Sequence, residues 1–130
     1  MAQRASAAET SQELSLLRAT RPIDLVHLAR QCLGDEGLEQ EILRLFKTTM
    51  GVYQARLAAA TTPEELKMCL HSIKGAASGV GAWTIADIAK ALEADQAAGQ
   101  PLSAESLSDL TMAVEEVGVF VTQMLSNEPA

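Results

Sequence analysis

At 130 residues the chain is long enough for one domain with a real core, and 48% of it is apolar. Aromatic residues make up only 3%, so the core must come from Leu, Ile, Val, Ala and Met, a supply that suits helices better than sheets. Ten basic against seventeen acidic side chains leave a net charge of −7, which repels a phosphate backbone and argues against nucleic acid as a partner.

The two cysteines, Cys32 and Cys69, sit among apolar neighbours and form no disulfide framework, which points to a reducing compartment. The opening MAQRASAAETSQELS lacks the continuous apolar stretch of a signal peptide. No segment reaches the roughly 18 apolar residues that span a bilayer. A cytoplasmic address with no membrane partner is the expectation.

In chain order, residues 1–20 read as a tail, with room for a short helix through Leu14, Leu16 and Leu17, and residues 21–126 as the structured domain. The pattern from Pro22 to Leu33 predicts a helix with Pro22 in its first turn and Gly34 as its stop. Asp35 then caps a longer helix whose expected buried stripe is Leu38, Ile42, Leu45, Phe46, Thr49, Tyr53 and Leu57. Thr62, Pro63 and Glu65 make a capping box with proline at the first helical position, and the helix they start runs to Gly79 or Gly81. The next helix begins at Trp83, keeps Ile85, Ala89 and Leu92 in register, and stops at Gly99. Ser103 caps the last one, whose stripe of Leu107, Leu110, Val114, Val117, Val121 and Met124 is close to a heptad seam. No strand-like alternation of useful length interrupts this. The fold class is all-α: an antiparallel four-helix bundle with one or two short extra helices in front.

One stretch, HSIKGAASGVGA from His71 to Ala82, departs from what stability alone would choose. A helix-interior glycine costs roughly 1 kcal/mol relative to alanine. At 100° per residue, Leu66, Cys69, Leu70, Ile73, Ala76, Ala77 and Val80 fall on the half opposite His71 and form the core face. Glu64, Lys67, Met68, Lys74, Gly75 and Ser78 fall within about 60° of His71. The histidine therefore sits mid-face on the polar side. Lys74, at i+3, brings an ammonium beside whatever the imidazole carries. Gly75, at i+4, removes the side chain that would stand next to the ring, which is the clearance a nucleophile needs to enter another protein's site.

Phosphoryl transfer is the chemistry that fits. Imidazole titrates at about pH 6.5, so its neutral, nucleophilic form is available near neutrality. The charge of an attached phosphoryl group is stabilised by a neighbouring lysine, and a helix anchored in a core holds the ring in place.

The run His71-Ser-Ile-Lys74-Gly75, continuing to Gly81-Ala, resembles the signature of the histidine-phosphotransfer (HPt) domain family, H-x-[LI]-K-G-x-x-x-x-[aliphatic]-G-[AL]. Ile85 through Leu92-Glu93 is similar to the following helix of that family, and IDLVHLARQCLGDEGLEQEILRLF to the two helices before its histidine. The resemblance covers residues 22 to 125. It implies a four-helix bundle that carries phosphoryl groups between receiver aspartates in a two-component phosphorelay, without kinase activity of its own. It implies His71 as the phosphoacceptor through Nε2, Lys74 as its charge-stabilising neighbour, Gly75 as the clearance residue and Gly81 as a structural glycine. It places Glu93 where a polar side chain hydrogen-bonds the other imidazole nitrogen. The implied partners are response-regulator receiver domains and a hybrid sensor histidine kinase. Lys67, Met68 and Ser78 are the expected docking surface, together with the helix of residues 22–33. No cofactor is expected on this chain, Mg²⁺ belonging to the receiver, and a monomer is expected.

Other chemistries fit less well. His27 with Cys32, and Cys69 with His71, have neither zinc-ligand spacing nor a shared helix face, so no metal site is assigned, and His27 reads as a residue at the core margin. Glu39, Glu41, Glu115 and Glu116 read as surface. The glycines at 75, 79 and 81 make no nucleotide-binding loop, and Ser78 lies in no nucleophile elbow. The rival is a helical docking module that binds a partner with this same face and transfers nothing.

Overall fold

The computed structural model describes residues 21–126. Five helices follow one another there: α1 Leu25–Gln31, α2 Glu36–Ala59, α3 Pro63–Val80, α4 Trp83–Ala97 and α5 Ala104–Ser126. The last four form the bundle. Helix α2 packs on α3 and α5, and α4 packs on the same two, so α3 and α5 lie across the diagonal; the short α1 rests on α2 and α3. The expected tail or helix within residues 1–20 lies outside the described residues.

Local sequence explains most of the boundaries. Asp35 caps α2 by accepting from the Leu38 N–H at 3.1 Å. Thr62 accepts from the Glu65 N–H at 3.2 Å, and Glu65 Oε2 reaches back to the Thr61 N–H at 3.0 Å. Pro63 occupies the first turn, where its missing N–H costs nothing. Gly81 ends α3 at φ +81°, and Gly99, just beyond α4, has φ +74°. Ser103 Oγ accepts from the Ser106 N–H at the start of α5.

Two expectations need correction. Helix α1 begins at Leu25, not at Pro22, because Asp24 is its cap: extended in backbone, it accepts from the His27 N–H at 3.1 Å. The buried stripe of α2 is also rotated. Leu38 and Leu45 are 44% and 64% exposed, whereas Leu43, Phe46 and Met50 fill the core. The helix carries two apolar stripes side by side, and its neighbours choose between them. Lys47 and Gln54 reach Thr122 and Thr111 of α5, which turns Leu43 and Met50 inward.

The core is aliphatic, as the scarcity of aromatics requires. Leu28, Leu43, Met50, Leu70, Ile73, Ile85, Leu92, Leu110 and Val121 are all within 2% of complete burial. Each such side chain contributes about 1.5–3 kcal/mol through area removed from water. Leu70 and Ile73 bracket His71, so the backbone that carries the histidine is anchored on its inner side.

Candidate functional site

Helix α3 presents two faces. Cys69, Leu70, Ile73, Ala77 and Val80 are buried, while His71, Lys67, Met68 and Gly75 are exposed and Lys74 and Ser78 lie between. The His71 side chain is 72% exposed.

Helix α4 supplies the residue that completes the cluster. Leu92 is fully buried, and Glu93 beside it points along the seam toward α3 with its side chain 21% exposed. Glu93 Oε2 lies 3.7 Å from His71 Nδ1, and Glu93 Oε1 lies 3.2 Å from Lys74 Nζ. The first distance is longer than a hydrogen bond. The second is short enough for one, yet Oε1 is buried and its contact with the ammonium is not aligned as a hydrogen bond. The carboxylate thus stands between ring and ammonium, attracted to both and committed to neither. Its position marks Nδ1 as the ring nitrogen facing the protein and leaves Nε2 on the far side of the ring.

Gly75 is empty space by construction. A Cβ built there would meet nothing within 4 Å, so no packing contact inside the molecule asks for glycine. Gly81, at the end of the same helix, differs: a Cβ there would stand 2.9 Å from Asp24 Cβ and 3.0 Å from the Asp24 carbonyl oxygen.

Two features escaped sequence reasoning. The first is the Asp24 corner. Asp24 is 7% exposed; its N–H donates to the Gly81 carbonyl at 2.9 Å, and its Oδ2 accepts from Trp83 Nε1 at 3.0 Å. The Trp83 ring also meets His27 edge-on, with centroids 4.8 Å apart. This corner fixes α1 against the turn between α3 and α4. The second is a groove of about 470 Å³ beside the histidine, where Tyr53 and Arg56 of α2 face Glu64, Met68, Cys69 and Ser72 of α3. Met68 is 70% exposed at its rim. Nothing in the α3 motif signals the contribution from α2.

The other cysteine is inert. Burial, then the carboxylates of Glu39 and Asp35, pushes the Cys32 thiol up, so it stays protonated near neutrality. Among the described residues no three His, Cys, Asp or Glu side chains converge as a metal site requires, and no helix is long and apolar enough to cross a membrane.

A family model for the Hpt domain matches residues 41–120, which spans the histidine helix and most of the bundle. The chain belongs to the Hpt domain family. Its fold is that of a solved HPt domain from a sensor hybrid histidine kinase of Shewanella. The TM-score is 0.72 at 17% sequence identity, over 84% of this chain and 97% of that one. A search of curated proteins finds no match. Membership makes this a domain of two-component phosphorelays, whose partners as a class are receiver domains and histidine kinases.

Proposed function

We propose that the chain is a phosphorelay carrier in its own right, taking a phosphoryl group onto His71 Nε2 from the phospho-aspartate of one receiver domain and passing it to the aspartate of another. The observation that supports this most is the cluster itself: an exposed imidazole on a rigid helix, with a half-buried carboxylate behind Nδ1 and a lysine one turn away.

The Nε2 lone pair forms the N–P bond as the P–O bond to the donor aspartate breaks, and the aspartate leaves as a carboxylate. The Nδ1 proton stays on the ring, which gains a positive charge as the bond forms. Glu93 lies on the side where that charge develops, so its carboxylate favours the Nδ1–H tautomer and stabilises the product. Lys74 starts paired with Glu93 and can turn its ammonium toward the phosphoryl oxygens once they arrive. Its charge is partly solvated, so its contribution is on the order of 1 kcal/mol. Onward transfer reverses these steps on a second aspartate. Mg²⁺ acts at the receiver's own acidic cluster. Gly75 leaves room for the receiver to close over the ring, and Lys67, Met68 and Ser78 surround the histidine as docking contacts.

A transfer assay tests this. Receiver domains carrying labelled aspartyl phosphate are mixed with the protein and Mg²⁺, and acid-labile, base-stable label is followed on wild type and His71→Gln. Label on wild type alone is the expected result, with the folding stability of the variant within about 0.5 kcal/mol of wild type because the position is exposed. Receiver binding without label on either protein would leave the docking module as the function.

A further inference from the structure

The carboxylate of Glu93 is more than the orientation of the ring requires. A glutamine amide at the same position could accept from Nδ1–H and would spare the fold a charge set into the seam between α3 and α4. Glu93 instead brings a carboxylate whose side chain is 21% exposed, with Oε1 buried and without a hydrogen-bond partner. Its other oxygen stops 3.7 Å from Nδ1, too far for a hydrogen bond. What it offers the ring is therefore charge, partly sheltered from water, and it offers the same to a phosphorylated ring.

The other charged groups around the ring are differently placed. On α3, Lys74 is drawn to Glu93 Oε1 at 3.2 Å, while Lys67 stands one turn and Glu64 two turns before His71. On α4, Lys90 lies one turn from Glu93 and is exposed. Helix α2 contributes Arg56, across the groove it shares with Met68 and Ser72.

Protonation decides whether a phosphohistidine can give its group away. With Nδ1–H in place, the N–P bond breaks to leave neutral imidazole as the P–O bond to the acceptor aspartate forms. Without that proton the leaving group is an imidazolide anion, a much stronger base that leaves poorly. A negative charge within about 4–6 Å favours the protonated form of a neighbouring base.

We propose that Glu93 keeps His71 in its donor form after phosphorylation, holding the Nδ1 proton on the ring so that onward transfer to a receiver aspartate continues into mildly alkaline pH. The inference rests on the phosphotransfer reading above and extends it to the step that empties the site. Glu93 acts there through the ring, as a positioning residue for its proton.

Phosphoramidate tests this without a receiver: its N–P bond breaks, ammonia leaves, and the phosphoryl group passes to Nε2. The phosphorus NMR signal of the phosphohistidine is then followed with pH, and His71→Gln separates His71 from the second of the two histidines, His27. Glu93→Gln should lower the midpoint of that titration by about one pH unit. Glu93→Asp keeps the charge but draws it back from the ring, so its midpoint should fall between the two, and it keeps the test valid if Glu93→Gln unfolds. Discharge to a receiver should follow the same order. At about pH 8 it should be about threefold to tenfold slower from Glu93→Gln than from wild type, and the two should converge at about pH 6, where both rings are protonated. Equal midpoints in wild type and both variants would overturn the proposal. So would a Glu93→Gln discharge slowed by one factor at every pH, the mark of a structural fault. A panel of receivers that takes no phosphate from any of these proteins would count against the relay instead, and the midpoints would still decide the role of Glu93.

Discussion

The outer face of α3 around His71 and the corner where α3 turns into α4 lie within about three helical turns of each other, and each is built around a glycine. Gly75 has nothing within 4 Å of where its Cβ would be, whereas Gly81 sits at φ +81° with Asp24 pressed against it at 2.9 Å. One glycine is unexplained by anything inside the molecule; the other is explained entirely from within. Architecture asks for glycine at position 81; at position 75 the molecule's own packing does not, which leaves room for the functional reason proposed above. The surroundings divide in the same way. At the corner, Asp24 meets the Gly81 carbonyl and the Trp83 indole with well-formed hydrogen bonds. At the histidine, Glu93 is held between the imidazole and the Lys74 ammonium without an aligned bond to either. The division is not complete, since His27 Nε2, on the ring that meets Trp83, is also buried without a hydrogen-bond partner.

The largest effect that would sharpen this contrast is Gly81→Ala. Alanine at positive φ costs about 1–2 kcal/mol, and forcing its methyl against the Asp24 backbone adds about 1–3 kcal/mol. A loss of roughly 2–5 kcal/mol should lower the melting temperature by about 10–25 °C. Phosphoryl transfer per folded molecule, measured well below the transition, should stay near wild type. An unchanged melting temperature would show that the corner yields and that Gly81 is no more structural than Gly75.

Gly75→Ala should run the opposite way. Replacing a helix-interior glycine by alanine in open space raises stability by up to about 1 kcal/mol. In the transfer proposed above, the added methyl would stand where the receiver approaches, and a displacement of the reacting atoms by even part of an ångström should slow transfer by about tenfold or more. Gly75→Leu should be slower still. A Gly75→Leu protein that accepts phosphate at the wild-type rate would remove the clearance argument and leave the glycine without an explanation.

The same contrast explains how much could be read from sequence. Features set by residues within four positions of one another were legible: the Thr62-Pro63-Glu65 cap, the Asp35 cap, the glycine stops and the two faces of α3. The orientation of α2 was not, because its two adjacent apolar stripes are equally helical and only contacts with α3 and α5 decide which is buried. The Asp24 corner was invisible for a related reason. A lone aspartate before a short helix looks like any cap, and its role depends on Gly81 and Trp83, 57 and 59 positions away. Glu93 was placed beside the histidine by family resemblance alone, since nothing local to α4 marks it. The groove wall formed by Tyr53 and Arg56 had no signal at all.

The smallest predicted effect separates the two regions through their cysteines. Cys69 lines the groove beside the histidine, while Cys32 caps the C-terminal end of α1, the helix that the corner anchors, 1% exposed, with its thiol pushed above its ordinary value of 9.0 by burial first and then by Glu39 and Asp35. In the folded protein Cys32 therefore keeps its proton to higher pH than in the unfolded chain. Below the unfolded value both states hold the proton and the group adds no pH dependence. Above it the unfolded state ionises first and gains free energy that the folded state does not, so stability falls as pH rises. Cys32→Ala should flatten the decline of melting temperature above about pH 9, the range above the ordinary thiol value, whatever its effect on absolute stability. In the native protein a small alkylating reagent should label Cys69, 9% exposed on the wall of an open groove, before Cys32, 1% exposed with its thiol pushed up. An unchanged pH slope in Cys32→Ala, or labelling of Cys32 as fast as Cys69, would mean that the C-terminal end of α1 opens as readily as the face that carries the histidine.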